Sequence, residues 1–87
     1  ELRNILYILS QDPSGKSGSL LLSEPDPNQQ VSIILIQEGV RNERSLHGKC
    51  FVLKEDAQAR GVFPLFPLVS YVDMLRMILQ ADTVVAI

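Results

Sequence analysis

Cysteine is almost absent from this chain: Cys50 is the only one. No internal disulfide can form, and the high, even cysteine count of small secreted scaffolds is missing. Tryptophan is absent and aromatics make up 6% of the 87 residues, so the core has to be built from aliphatic side chains. His47 is the only histidine, and one histidine with one cysteine cannot close a four-ligand zinc site. A run of like charge is also lacking. Arg3, Lys16, Arg41, Arg44, Lys49, Lys54, Arg60 and Arg76 are scattered, and the net charge is −2. Capture of nucleic acid needs a concentrated basic patch, so no direct nucleic-acid binding is expected. The longest apolar runs are about five residues, against the ~20 needed to span a bilayer. The opening at Glu1 shows no basic stretch followed by a long apolar region, which argues against a signal peptide. The expected location is cytoplasmic, with no membrane contact.

What is present is aliphatic material in quantity. The chain is 46% hydrophobic, yet a domain this short buries only about 60% of its unfolded surface. A single domain over 1–87 is expected, with part of its apolar surface covering a partner.

The order of elements is legible. Ile5 to Leu9 is continuously apolar and reads as a buried central strand. Ser14 to Ser19 is small and polar, and Leu20 to Leu22 could open a short helix that Pro25 and Pro27 keep from running long. Val31 to Ile36 is the clearest strand and ends at Gln37-Glu38-Gly39. Arg41 to Lys49 reads as a loop or helical turn, and Cys50 to Leu53 as a third strand. Glu55 to Arg60 starts acidic and ends basic, with Gly61 as terminator. Pro64 and Pro67 make residues 62–67 a connection. Leu68-Val69 is a very short strand. Ser70 is a candidate N-cap with Asp73 at the capping-box position, ahead of a helix carrying a broad apolar stripe. Thr83 to Ile87 is the last strand. Strands alternating with short helices point to an α/β sandwich with a mostly parallel sheet of about four or five strands.

Few groups offer chemistry. Ser10 to Ser17 reads S-Q-D-P-S-G-K-S and matches the phosphate-binding loop except for its first glycine, with Ser14–Ser17 as the candidate phosphate contacts. The missing glycine removes backbone freedom at the turn, and the two prolines shorten the following helix. Cys50 lies three residues from His47 and beside Lys49, which would lower its pKa. However, it opens an apolar strand, where cysteine is usually a small core residue. Glu55 and Asp56 are explained by a helix start, and Met74 and Met77 by gap filling. No metal site and no cofactor are called for.

Three segments together carry a resemblance: I-I-L-I-Q-E-G-V (33–40), C-F-V-L-K-E-D-A-Q-A-R-G-V (50–62) and P-L-V-S-Y-V-D-M-L-R (67–76). In this order the chain resembles the TusB/DsrH family of the DsrE/DsrF/DsrH-like sulfur-relay proteins, over most of its length except residues 10–30. The resemblance implies a small three-layer α/β fold. It also implies a subunit of a hetero-oligomer with DsrE/DsrF-like (TusD/TusC-like) proteins, or of a small homo-oligomer. Related complexes pass persulfide sulfur toward tRNA wobble 2-thiouridine or in sulfur oxidation. Their acceptor cysteine lies near the end of the third strand, here Leu53-Lys54, with Cys50 about three residues upstream by count along the strand. Some DsrH-type members carry another cysteine after the first strand, and this chain has none. The expectation is an accessory, non-catalytic subunit, with Cys50 as persulfide carrier the alternative. Gln37, Glu38, Gly39, Lys54, Glu55 and Asp56 would form the binding or partner surface at the carboxyl ends of the strands, with Gly39 allowing a sharp turn after the second strand.

Overall fold

Two β-branched or leucine-rich segments set the centre of the sheet. In the computed structural model, which describes residues 3–11, 27–41 and 48–86, these are β1 (Arg3–Leu9) and β2 (Gln29–Leu35). They pair in parallel, Ile5 opposite Val31 and Leu9 opposite Leu35. β3 (Lys49–Leu53) runs parallel to β2 and leads directly into α1 (Lys54–Ala59). β4 (Leu68–Val69), α2 (Tyr71–Gln80) and β5 (Thr83–Ala86) follow. Among the described residues the sheet has five strands in the order β4-β3-β2-β1-β5, every pair parallel. This is an α/β fold. The helix suggested near Leu20 to Leu22 lies outside the described residues.

β1 and β2 begin two residues earlier than their apolar runs. A ladder needs only backbone groups, and polar residues at the strand starts supply them: the Arg3 N–H donates to Asn28 O at 3.0 Å, and the Asp82 N–H to Asn4 O at 2.8 Å.

Side chains alternate across the pleat, and two buried clusters result. Leu9, Ile33, Leu35, Val40 and Val52 pack with Ala57 of α1. Leu6, Ile34 and Leu53 pack with Met74 of α2, with Met77 and Ile78 half-buried against them. Ile33, Ile34, Leu35 and Val52 are completely inaccessible, as a strand covered on both faces requires. Val40 is also buried, although in sequence it is one apolar residue in a polar stretch.

The capping chemistry is complete at two helix ends. The Ser70 hydroxyl accepts from the Asp73 N–H at 3.1 Å, while the Ser70 N–H donates to Asp73 Oδ2 at 3.3 Å, closing the capping box of α2. At the end of α1 the Gly61 N–H donates to Gln58 O and the Val62 N–H to Ala57 O, the paired bonds of a Schellman motif. Gly61 takes φ +63°, where a side chain would be strained.

The expected sharp turn at Gly39 is corrected. Gln37, not Gly39, holds the positive φ (50°), and a 3-10 helix spans Gln37–Arg41. Glycine is needed at 39 for a different reason: a Cβ there would sit 2.6 Å from Leu9 O. The chain is pressed against the end of β1, where the Ile36 N–H also donates to Leu9 O at 2.8 Å.

Candidate functional site

The carboxyl ends of β2 and β3 bring five of the six predicted rim residues into direct service of one another or of the neighbouring elements. The Gln37 N–H donates to Asp56 Oδ2 at 2.7 Å, which ties the left-handed residue to α1. The Tyr71 N–H at the start of α2 donates to Glu55 Oε2 at 3.1 Å. Glu38 accepts from Arg41 Nε at 2.9 Å and from Arg60 Nε at 3.1 Å. These bonds, from Arg60 foremost and then Arg41, hold the Glu38 carboxyl below its ordinary value. Gly39 is buried beneath this group, and Lys54 stands exposed at the first position of α1.

The E-D-x-x-A-R-G segment thus has a local structural account. Glu55 satisfies an orphan N–H of α2, Asp56 holds the turn after β2, Ala57 fills the core, Arg60 reaches back to Glu38, and Gly61 ends the helix. The rim is a clasp between elements, in which Glu38, Glu55 and Asp56 each accept a hydrogen bond from another residue's N–H.

Strand order adds something the residue pattern did not carry. The connections β1–β2–β3–β4 step one way across the sheet, and β4–β5 returns to the far side of β1. Open α/β sheets bind ligands outside the carboxyl ends at the point where the order reverses, here between β1 and β5. The predicted rim follows β2 and β3 and meets the end of β1 at Gly39, which is pressed against Leu9 O. Ser10 and Gln11 follow β1 there. Residues 12–17, and with them the phosphate-loop candidates Ser14–Ser17, lie outside the described residues.

Cys50 lies at the opposite end of β3 from the rim. It is half-buried and packs against the cluster of Ile33 and Val52, and its Sγ lies 3.9 Å from Gly48 O. Its suggested partner His47 is outside the described residues. Among the described residues no three His, Cys, Asp or Glu side chains gather as metal ligands would, and no helix is long and apolar enough to cross a membrane.

Large apolar side chains stand in solvent. Phe63 is 96% exposed and Leu65 75%, both in the α1–β4 connection. On α2, Val72, Leu75 and Leu79 recur at helical spacing and are all exposed, Leu79 at 84%. Sequence periodicity located this stripe but could not divide it. Met74, Met77 and Ile78 turn toward the sheet, and the other half is left outside.

Comparison with protein-family models, with curated proteins and with solved structures finds no match for this chain.

Proposed function

We propose that this protein is an accessory, non-catalytic subunit of a sulfur-relay assembly, of the TusB/DsrH kind that its three motif segments resemble, working in the cytoplasm. The observation that carries the assembly is the exposed apolar surface: Phe63, Leu65, Leu75 and Leu79 face solvent on a chain of 87 residues. Leu75 and Leu79 stand on α2 and Phe63 and Leu65 in the α1–β4 connection. Exposed apolar groups of this size favour interaction sites, and small domains gain stability by association. The parallel α/β sheet is compatible with the fold the resemblance implies. The finer reading is a three-layer sandwich, which the separate clusters of α1 and α2 support. The accessory role follows from Cys50. A carrier thiol has to be accessible and activated, whereas this one is half-buried against a core cluster, away from the rim.

The test is light scattering on a sizing column, with the chain alone and after co-expression with DsrE/DsrF-like proteins. A mass above one chain in either sample is expected, and a strict monomer in both sinks the proposal.

The carrier alternative keeps one observation in its favour: Cys50 is not fully buried, and exposed Lys49 is its neighbour. Native-state thiol labelling separates the two readings. Labelling only after denaturant supports the accessory role. Rapid labelling, with a persulfide adduct after exposure to a sulfur donor, transfers the function to Cys50.

A further inference from the structure

Central strands of a parallel sheet are expected to be apolar on both faces. Here one face breaks that rule at the amino end. Asn4 stands opposite Gln30, and Ser32 opposite Lys49, so three neighbouring strands present four polar side chains at two adjoining levels. By alternation they share the face of Leu6, Ile34 and Leu53, which α2 covers further up. At the same level of the other face Ile5 and Val31 remain apolar. The helix stops at Gln80, and its last turn roofs a cleft of about 320 Å³ over this polar array, with Leu6, Phe51 and Met77 among the lining.

We propose that this cleft is a binding site for a small ring-bearing organic anion, of the size of a mononucleotide or a heteroaromatic carboxylate. The volume lies at the lower end of the range for small-molecule sites, roughly 300–1,000 Å³. Among the described residues the lining includes one ammonium, Lys49, and no carboxylate, and the nearby Asp82 carboxylate is engaged by the Asn4 N–H at 2.8 Å. Among the described residues, the side chains of Asn4, Gln30, Ser32, Lys49 and Gln80 make no hydrogen bond or ion pair, so their donors are uncommitted. Phe51 and Met77 are half-buried and both line the cleft, an apolar seat on which a flat ring can lie. The end of α2 presents carbonyls and the negative end of its dipole, which favours N–H groups on the ring edge. The acidic group then faces Lys49 across the cleft. This site is independent of the assembly reading, because it uses neither the rim nor the exposed apolar side chains.

The experiment is a ¹⁵N–¹H NMR titration of the whole chain with adenosine 5′-monophosphate, with orotate and with inorganic phosphate, each to millimolar concentration. The expected result is saturable movement of the amides of Ser32, Lys49, Phe51 and Gln80 with one of the two ring compounds. Which ring compound acts tells a phosphate ligand from a carboxylate one. Lys49→Met should weaken that binding about tenfold, as loss of a charge-assisted contact does, with amide positions elsewhere unchanged as the check on folding. Lys49→Gln is the second variant. No movement with either ring compound overturns the site. So does equal movement with inorganic phosphate alone, or binding that Lys49→Met and Lys49→Gln both leave intact.

Discussion

The two ends of the sheet are both polar, and they are built for different purposes. At the carboxyl end Glu38, Glu55 and Asp56 each accept a hydrogen bond from another element, and Gly39 is wedged against the Leu9 carbonyl. At the amino end Asn4, Gln30, Ser32 and Lys49 stand side by side with side chains that bond to nothing among the described residues. Polar residues that close a fold are satisfied internally. Those left unsatisfied at the lip of a cleft cost little in stability and stay available to a ligand. Position on a strand end thus says little about function until the hydrogen bonds are counted.

Substitutions sharpen the contrast. The largest effect is expected at Gly39→Ala, where the new Cβ would meet backbone at 2.6 Å and cannot be relieved by a rotamer change. Urea titration should show a loss of about 2–3 kcal/mol. A loss near zero would mean that the rim can slide, and the clasp description would go. Ser70→Ala removes both hydroxyl contacts of the capping box. It should cost about 1 kcal/mol in the same titration, with the loss of helical signal confined to α2.

Acid titration tests the clasp by charge. The Glu38 carboxyl is held below its ordinary 4.5 by hydrogen bonds from Arg60 and then Arg41. Asp73 is held below 3.8 by hydrogen bonds from the Ser70 side chain and then its backbone. A carboxyl depressed in the folded state contributes stability that is present above its unfolded value and lost as pH falls through its folded value. Stability should therefore hold down to about pH 5 and fall below it. Glu38→Gln should flatten the upper part of that fall, modestly because the group is exposed. An unchanged profile would remove the Arg pairs from the clasp. The smallest effect belongs to the other end: Lys49→Met and Ser32→Ala should each change stability by less than about 0.5 kcal/mol. If either destabilises as much as Ser70→Ala, the cleft is structural and the comparison between the two ends collapses.

Much of this arrangement was legible from residue order. The strand runs around Ile5–Leu9 and Ile33–Leu35, the two-residue β4, the Ser70–Asp73 capping box and the Gly61 stop all came from local chemistry, because each depends on neighbours within a few positions. Gly39 was assigned the wrong task. Its requirement comes from Leu9 O, thirty positions away in sequence, and a non-local contact leaves no local signature. Gln37 is the converse case: a residue held at positive φ by a carboxylate on another element, which its side-chain type does not announce.

The rim residues were correctly placed at strand ends, but their being occupied by each other could not be read from spacing. The cleft was missed altogether. Asn4, Gln30, Ser32 and Lys49 are separated by up to 45 positions (49 − 4), and only the parallel register sets them in adjoining rows. Local periodicity and capping, which act within one or two turns of chain, were enough to indicate an α/β chain and the order of most of its strands and helices. Which polar end is tied shut, and which is left open beneath the end of α2, was decided by strand order and register, because those alone bring distant side chains to a common surface.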